Sequence, residues 1–323
     1  MKLLFELSGE NPTIPVAELE CVGTVLAQRA AVAVAECPDP GLTHRLAMTH
    51  IVLEYLGECE PETGAFRRLL KDLAIDTLHS FAGRVKKVHS GASKMVQQCS
   101  QREFERLIGT MINGPVDLSN PESEFRAIIS EDRCYFGKVL FNADRGMYDK
   151  RNPGKRPFFH PGVMMPRMAR ALVNISCVQP GNCLLDPFCG TGGILIEAGM
   201  LGIDTIGSDV DPLMICGSRQ NGPAGTLLIA DATRLPLDDA SVDAVVTDLP
   251  YGQSVSIKRD DTVERLYDET LLEVQRVLKQ GKRAVIVTHR DISDIAARHM
   301  QVSQRHEQRV HKSLTRRILV LDK

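Results

Sequence analysis

One short segment, residues 183–198, restricts the possible folds of this 323-residue chain more than any other part of it. The segment reads Cys-Leu-Leu-Asp-Pro-Phe-Cys-Gly-Thr-Gly-Gly-Ile-Leu-Ile-Glu-Ala. An apolar strand ends at Asp186, a glycine-rich turn follows, and Ile194, Leu195 and Ala198 have the spacing of an amphipathic helix. Glycine suits the turn because it allows close approach of a ligand and backbone conformations that are closed to other residues. The segment therefore predicts the first strand, turn and helix of a nucleotide-type α/β site.

Two further acids follow at the ends of the next predicted strands. The first strand ends in Asp209, nineteen residues after Gly190, where α/β nucleotide sites hold ribose hydroxyls. The second, residues 227–230, leads into Asp231 and Ala232, in position for an adenine edge. The turn lacks both the third glycine of the dinucleotide fingerprint and the Gly-Lys-Ser/Thr of a phosphate-binding loop. Ribose and adenine contacts without a phosphate cradle favour S-adenosylmethionine as the cofactor. The cofactor-binding residues predicted in this region are Asp186, Pro187, Phe188, Gly190, Thr191, Gly192, Gly193, Asp209, Asp231 and Ala232.

A fourth predicted strand, residues 242–247, delivers the turn Asp248-Leu-Pro-Tyr251 to the edge of the sheet where ligands bind. This turn resembles the Asp/Asn-Pro-Pro-Tyr/Phe signature of amino methyltransferases that act on nucleic acid bases or glutamine amides. The resemblance implies that the acid and a backbone carbonyl accept hydrogen bonds from the target amino group, while the aromatic ring stacks on the base. Leu249 replaces the usual first proline, and because it precedes Pro250 it keeps a bias towards extended backbone. The predicted catalytic residues are Asp248, Leu249, Pro250 and Tyr251.

Charge is unevenly distributed along the chain, although the net charge is only −2. Residues 186–250 contain ten acids against two arginines, and residues 276–323 contain twelve Lys or Arg against four acids. Further basic stretches are residues 84–106 and 138–170. An acidic pocket flanked by basic surfaces suits a cationic cofactor beside a polyanionic substrate. The alternative is that each basic run is the solvated face of an ordinary helix.

Length predicts two domains, and the patterning of the first half is that of mixed α and β structure. In the first half we expect strands at residues 3–7, 31–35 and 81–88, the last with Arg84 and Lys86 on one face, and helices at residues 16–29, 42–56 and 94–111. A basic, Pro/Gly-rich segment at residues 142–157 is the predicted linker.

Composition excludes several classes of protein. Apolar residues at 43% and charged residues at 25% exclude extensive disorder. Glu6 interrupts the apolar N-terminal run, so we expect neither a signal peptide nor a membrane span, and we expect a cytoplasmic protein. The nine cysteines form no Cys-x-x-Cys pair, which predicts core residues and no metal site.

Two more groups of motifs indicate which family of amino methyltransferases this chain resembles. Residues 81–88, 108–113 and 116–122 resemble a THUMP RNA-binding domain, over roughly residues 60–141. Residues 156–174 together with residues 311–317 resemble the tRNA guanosine N2-methyltransferases that act at position 10, particularly the short archaeal type, and this match spans nearly the whole chain.

This family implies a ferredoxin-like piece at residues 1–60, a THUMP domain at residues 61–141, a linker at 142–157 and a Rossmann-like class I methyltransferase domain at 158–323. It also implies tRNA as partner and places His160 and Pro161 near the cofactor, although that turn could equally cap the following helix. The predicted RNA-binding residues are Arg84, Lys86, Lys87, Lys258, Arg259, Lys312, Arg316 and Arg317.

Two alternative functions remain open from the sequence. The first is methylation of another target, such as adenine in DNA, guanosine in ribosomal RNA or a glutamine amide. The second is an RNA-binding module with an inactive methyltransferase domain, for which Leu249 is the only support. The sequence also leaves open the number of methyl groups added and the need for a small activating subunit.

Overall fold

The structure is a computed structural model that describes residues 1–88, 100–223, 225–251, 260–311 and 314–323. It divides into two compact units, Met1–Asp144 and Arg145–Lys323. Each unit is built on one seven-stranded sheet. None of the helices in the described ranges combines the length and apolar character that crossing a membrane requires.

The first unit is a single sheet with strand order β2-β3-β1-β4-β7-β6-β5. Neighbouring strands are antiparallel except β5 and β6, which are parallel. Its strands are β1 (Lys2–Leu7), β2 (Thr24–Arg29), β3 (Val32–Glu36), β4 (Thr49–Cys59), β5 (Phe81–Val88), β6 (Ser123–Ser130) and β7 (Arg133–Asn142). Its helices are α1 (Ile14–Leu19), α2 (Thr63–Leu73) and α3 (Gln101–Met111), and a 3-10 turn spans Pro40–Arg45. The sheet runs without a break through both N-terminal regions that the sequence separates, residues 1–60 and 61–141.

Two helix predictions in this unit are wrong. The helix expected at residues 16–29 ends at Leu19, and its second half is the edge strand β2, in which more and less exposed residues alternate. The helix expected at residues 42–56 is the 3-10 turn followed by β4. Because β4 lies between β1 and β7, its run Ile51-Val-Leu53 is buried, and a buried apolar run has no periodicity that distinguishes strand from helix. The strands predicted at 3–7, 31–35 and 81–88 are confirmed as β1, β3 and β5.

The second unit is an open, mostly parallel sheet with strand order β10-β9-β8-β11-β12-β14-β13. Its strands are β8 (Cys183–Asp186), β9 (Asp204–Asp209), β10 (Thr226–Ile229), β11 (Val242–Asp248), β12 (Leu278–Thr288), β13 (Gln301–His311) and β14 (Leu314–Asp322). Its helices are α4 (Gly146–Asp149), α5 (Pro166–Ile175), α6 (Gly193–Gly199), α7 (Pro212–Asn221), α8 (Asp260–Val277) and α9 (Ser293–Ala296), and a 3-10 turn spans Pro153–Lys155. Among these strands only β14 runs in the opposite direction, because it is antiparallel to both of its neighbours, β12 and β13.

The chain order of the strands reverses between β8 and β11, which are hydrogen-bonded neighbours at the centre of this sheet. Ligands of open α/β sheets bind at such a switch point, outside the carboxyl ends of the strands. The four strands predicted from residues 183 to 247 are confirmed as β8, β9, β10 and β11. Because β8 and β11 are parallel neighbours, their last residues, Asp186 and Asp248, lie at the same edge of the sheet.

The segment predicted as a linker, residues 142–157, differs from that prediction. Strand β7 continues to Asn142, and residues from Arg145 onwards belong to the second unit. Arg151 donates two hydrogen bonds, of 2.7 and 3.1 Å, to the carboxylate of Glu197 on α6. Glu197 is fully buried and needs a cationic partner there, so this basic segment is packed structure and not a spacer.

Candidate active site

The glycine turn between β8 and α6 forms one wall of the site. Gly190 and Gly192 have φ angles of +47° and +80°, in the left-handed region that favours glycine. A Cβ atom on Gly192 would lie 2.4 Å from Ser218 Oγ, whereas a Cβ atom on Gly190 would meet no atom within 4 Å. The turn is therefore tightly packed on its α7 side and faces open space at Gly190.

Asp186 is held at the end of β8. Its Oδ1 accepts hydrogen bonds from Thr247 Oγ1 at 2.7 Å and from the Phe188 backbone N–H at 3.2 Å. The side chain is almost completely buried, and burial raises the pKa of Asp186 to about 7 despite these two hydrogen bonds. Near neutral pH this carboxyl is thus poised between its two protonation states.

Asp209, at the end of β9, fixes the glycine turn through backbone donors. Its Oδ2 accepts from the Gly190 N–H at 3.0 Å and its Oδ1 from the Asp211 N–H at 3.0 Å. Burial raises its pKa, against the effect of these hydrogen bonds. An ionised carboxylate has about four acceptor positions, so Asp209 retains capacity for ligand hydroxyl groups.

A cavity of about 180 Å³ lies at this edge of the sheet. Among its lining residues are His160, Pro161, Asp186, Phe188, Gly190, Thr191, Gly193 and Asp248. Predicted cofactor and catalytic residues thus meet in one space. Five predicted cofactor residues do not line this cavity, namely Pro187, Gly192, Asp209, Asp231 and Ala232. Of these, Asp231 is exposed, and its Oδ1 accepts from the backbone and side chain of Thr233 at 2.9 and 2.8 Å.

Asn221 connects the glycine turn to the segment before α5, and sequence reasoning missed it. Its Nδ2 donates to the carbonyls of Phe158 and Thr191, both at 3.0 Å, and its Oδ1 accepts from the Phe158 N–H at 2.9 Å. A Cβ atom on Gly217 would lie 2.1 Å from Phe158 Cδ1, so this glycine of α7 makes room for the ring. No motif signals these residues, because their partners are 30 to 63 positions away in the chain.

The catalytic turn begins where β11 ends. The Leu249 N–H donates to the Val287 carbonyl of β12 at 2.9 Å, and its side chain is only 1% exposed. The carbonyl of Pro250 accepts from Tyr267 Oη of α8 at 2.6 Å. Leu249 therefore contributes a backbone donor and a core side chain at the position where the signature has proline, and proline could supply no such donor.

Within the described part of the chain, Asp248 has two side-chain partners. Its Oδ1 accepts from Tyr251 Oη at 2.8 Å, and its Oδ2 lies 3.6 Å from Arg316 Nη2. Arg316 Nε also donates to Tyr251 Oη at 3.1 Å, and Nη2 donates to the Gly162 carbonyl at 3.3 Å. Burial raises the pKa of Asp248, while Arg316 and the Tyr251 hydroxyl act to lower it. The aromatic ring of Tyr251 is tilted by 45° against that of His289, at 4.9 Å between centroids.

The predicted RNA-binding residues fall into three groups. In the first unit, Arg84 is exposed and donates to the Leu118 carbonyl at 2.8 Å, Lys86 pairs with buried Glu6, and Lys87 is half-buried. In the second unit, Arg317 is half-exposed and lies 3.3 Å from Glu307, whereas Arg316 is 6% exposed and turned towards Asp248. The other three predicted residues, Lys258, Arg259 and Lys312, lie outside the described residues.

Comparison with known proteins identifies the family. Residues 153–318 match the family described as RMKL-like, methyltransferase domain. The whole chain aligns, at 33% identity over 344 positions, with the whole of the tRNA (guanine(10)-N2)-dimethyltransferase of Methanothermobacter thermautotrophicus. The chain belongs to the tRNA (guanine(10)-N2)-dimethyltransferase family.

Other relatives agree with this assignment. A protein of the same name from Methanocaldococcus jannaschii is 38% identical over 216 residues, covering 62% of this chain and 60% of that protein. The crystal structure of TrmN from Thermus thermophilus is 20% identical and covers both chains completely with a TM-score of 0.53, which shows a shared fold. The expected family and the Rossmann-like methyltransferase fold are thus confirmed. The protein is a methyltransferase, and its methyl donor is S-adenosylmethionine.

The residues of the site fit this donor. The open space beside Gly190 admits a nucleoside against the backbone of the turn, and Asp209 retains acceptor positions for its hydroxyls. Behind the turn, Arg156 has two buried guanidinium nitrogens for which the described residues supply no hydrogen-bond partner. Arg156 Nη1 would lie 3.2 Å from a Cβ atom on Gly193, so this positive charge adjoins the cavity wall and suits the donor's carboxylate.

Proposed function

We propose that this protein transfers methyl groups from S-adenosylmethionine to the exocyclic N2 amino group of the guanosine at position 10 of tRNA. The observation that carries the proposal is that Asp248, the acid of the amino methyltransferase turn, lines the same cavity as the glycine turn. The family relatives, named as dimethyltransferases of guanine 10 in tRNA, supply the base and its position. Their name also favours the addition of two methyl groups.

On the cofactor side, Asp209 would bind the ribose hydroxyls and Asp231 the adenine edge, each after its own strand. Asp186 would face the ammonium group of the methionine part, which favours the ionised form of this buried carboxyl. Bound S-adenosylmethionine supplies a methyl group on a sulfonium, which is electrophilic without metal assistance. The task left to the protein is to present a nucleophile in line with that methyl group.

On the acceptor side, the guanine amino nitrogen is a poor nucleophile because its lone pair is conjugated with the ring. Asp248 and the carbonyl of Leu249 would each accept one amino hydrogen, which favours a pyramidal nitrogen with its lone pair free. The Pro250 carbonyl is bonded to Tyr267, whereas the described residues place no donor on the Leu249 carbonyl. Loss of the signature proline at this position thus leaves the acceptor carbonyl in place.

Tyr251 has to change partners before it can stack on a base. Its hydroxyl is bonded to Asp248, so the amino group of the substrate takes over the acceptor that this hydroxyl occupies. After transfer the nitrogen carries an extra proton, and Asp248 would accept it. The raised pKa of Asp248, caused first by burial, favours its uptake of this proton.

We propose that the first unit delivers the tRNA, with a ferredoxin-like piece at residues 1–60 and a THUMP domain at residues 61–141. Exposed Arg84 and half-buried Lys87 of β5 would contact phosphates there, and half-exposed Arg317 would do so on the catalytic unit. These contacts orient the RNA and carry no base specificity of their own. A tRNA substrate accords with a cytoplasmic location.

The test is methyl transfer to an unmodified tRNA transcript, followed by nucleoside mass spectrometry and mapping of the modified position. We expect N2-methylated and N2,N2-dimethylated guanosine at position 10. Asp248→Ala should lower the transfer rate by about 10² to 10³-fold, the usual effect of removing one such electrostatic group, with unchanged cofactor affinity. Asp238→Ala removes an exposed acid from the same acidic segment and should behave like the wild type.

Each other outcome of this assay has a defined meaning. Methylation of another base, or of DNA or a protein, would replace the substrate and keep the enzyme. Cofactor and tRNA binding without transfer by the purified chain would indicate a requirement for an activating subunit. Absence of cofactor binding would overturn the proposal and favour an RNA-binding module.

A further inference from the structure

Arg316 joins three parts of the second unit at the transfer site. It lies on β14, it donates to the Gly162 carbonyl in the segment before α5, and it donates to Tyr251 Oη on the catalytic turn. Its guanidinium also lies 3.6 Å from Asp248, and the residue is only 6% exposed. A buried arginine that spans these elements differs from the solvent-facing, phosphate-binding residue that the sequence suggests.

The charged groups around Asp248 explain why an arginine is needed there. Asp186 on β8 is a second buried carboxyl close enough to interact electrostatically with Asp248. Among the described residues, and besides Arg316, the titratable and charged groups that face this region are His160 across the cavity, Tyr251 on the turn, Tyr267 on α8, and His289 and Arg290 after β12. The pKa of His289 is lowered first by burial and then by Arg290 and Arg317, which favours its neutral form. Among these groups, Arg316 is the cation that forms an ion pair with Asp248.

We propose that Arg316 is a positioning residue for methyl transfer, which keeps the Asp248 carboxylate ionised when the guanine amino group replaces the Tyr251 hydroxyl on it. This role rests on the proposed function. Only the ionised carboxylate has all its oxygen lone pairs available as acceptors, because a protonated carboxyl presents a donor to the amino group. Burial favours protonation of Asp248, and Arg316 opposes it without itself touching the substrate.

The same geometry orients Tyr251 before the substrate binds. The Tyr251 hydroxyl donates to Asp248 and accepts from Arg316, so the ring is held beside the cavity at one defined angle. When the hydroxyl gives up Asp248 it retains its bond to Arg316. Arg316 therefore remains bound to the tyrosine while the carboxylate changes partner.

A first experiment needs no RNA and is independent of the proposed substrate. The chain has five tyrosines and no tryptophan, so its tyrosine emission can be measured directly. An ionised carboxylate that accepts from a tyrosine hydroxyl quenches that emission, and the difference between wild type and Tyr251→Phe therefore reports the ionisation of Asp248. In Arg316→Gln we expect the midpoint of this titration to rise by about 1 pH unit or more, the usual effect of one adjacent opposite charge. Arg316→Lys should retain most of the wild-type value.

A second experiment measures single-turnover methyl transfer to tRNA against pH. In Arg316→Gln the acid limb should move to higher pH by about the same amount, with recovery of the rate at alkaline pH and unchanged cofactor affinity. Arg309→Gln, which removes an exposed arginine from the neighbouring strand β13, should show the wild-type profile. A loss of equal size at every pH, or no displacement of the emission midpoint, would overturn the proposal and leave Arg316 a structural residue.

A double substitution tests the proposal in case the Arg316→Gln variant fails to fold. If Arg316→Gln does not fold, Asp248→Asn/Arg316→Gln should fold, because the carboxylate left without its cation is then also absent. Failure of the double variant to fold would assign Arg316 to packing alone and contradict the proposal. If the wild type does not bind or methylate tRNA but shows the expected emission midpoints, the proposed substrate is rejected while the role of Arg316 towards Asp248 is retained.

Discussion

The two sides of the candidate active site are built in different ways. On the cofactor side, comprising residues 186–193 and Asp209, the carboxylates are held chiefly by backbone N–H groups of Phe188, Gly190 and Asp211. On the transfer side, comprising residues 248–251 and Arg316, Asp248 is held by the side chains of Tyr251 and Arg316. Both sides carry an acid whose pKa is raised by burial, but Asp186 is only 1% exposed whereas the Asp248 side chain is 21% exposed, so the two acids differ in burial as well as in their partners.

This difference corresponds to what each side has to do. Backbone donors cannot leave without unfolding the turn, which suits a site that has the same shape with and without its ligand. Side-chain donors can exchange, which suits an acid that must release a tyrosine and accept a base. We therefore expect changes on the cofactor side to alter stability and binding, and changes on the transfer side to alter mainly the rate.

The largest effect on stability is expected from the ionisation of Asp186. Its pKa rises from an unfolded value of about 3.9 to about 7, so the folded protein holds this proton more tightly and loses stability as pH rises from 4 to 7. The loss is on the order of 4 kcal/mol and should be absent in Asp186→Asn, measured by denaturant unfolding across this pH range.

Asp243→Asn is the matched control, because ionisation of Asp243 is expected to change stability in the opposite direction. Burial opposes ionisation of Asp243, but the Cys183 N–H and Lys279 lower its pKa, so the wild-type carboxylate stabilises the fold above pH 4 and less below it. If stability depends on pH equally in the wild type and in Asp186→Asn, then burial does not raise the pKa of Asp186. Asp186 would then not share this property with Asp248.

Gly192→Ala should destabilise the glycine turn. The positive φ angle costs a non-glycine residue about 1–2 kcal/mol, and the contact of its Cβ with Ser218 Oγ adds to this, giving about 3 kcal/mol in the free energy of unfolding. Gly181 has nearly the same φ, +78°, but a Cβ atom there would meet no atom within 4 Å. Gly181→Ala should therefore cost only the conformational part, about 1–2 kcal/mol. Equal losses in the two variants would show that the turn is not packed against α7 as described.

Leu249→Pro would restore the signature of the wider enzyme group and is nevertheless expected to be harmful. The change removes the N–H that bonds to Val287 and reduces a buried side chain, which together cost about 2 kcal/mol. Leu249→Met keeps the volume and the donor, and it should cost less than about 1.5 kcal/mol. A gain in the transfer rate on proline substitution would instead show that the missing proline limits this enzyme.

The smallest effect is expected for Tyr267→Phe. Its hydroxyl bonds to the Pro250 carbonyl, and loss of one such hydrogen bond costs about 1 kcal/mol. The transfer rate should fall several-fold in single-turnover measurements, with unchanged cofactor binding. If cofactor affinity falls and the rate does not, then the division between the two sides is drawn in the wrong place.

The sequence predictions were correct where the structure depends on residues close together in the chain, and wrong where it depends on residues far apart. Strand β8, the glycine turn and α6 follow from one run of sixteen residues, and the end of each following strand is marked by Asp209, Asp231 or Asp248. Strand β4 was predicted as a helix because its buried residues carry no period. The basic segment at residues 142–157 was predicted to be a linker because the sequence does not show its contacts. Arg151 in this segment binds Glu197, which is 46 positions further along the chain.

The amino-acid sequence by itself determined the family, the methyltransferase fold and the positions of the two turns that form the candidate active site. Glycines, strand-ending acids and an aromatic turn act through their own backbone and immediate neighbours, and such information is contained in a short run of residues. Only the tertiary structure decided that Asn221 supports the glycine turn and that Arg316 faces Asp248 instead of solvent. Their partners are brought together by the sheet and its helices across 30 and 68 positions of chain, and no local pattern specifies which buried group such a side chain will meet.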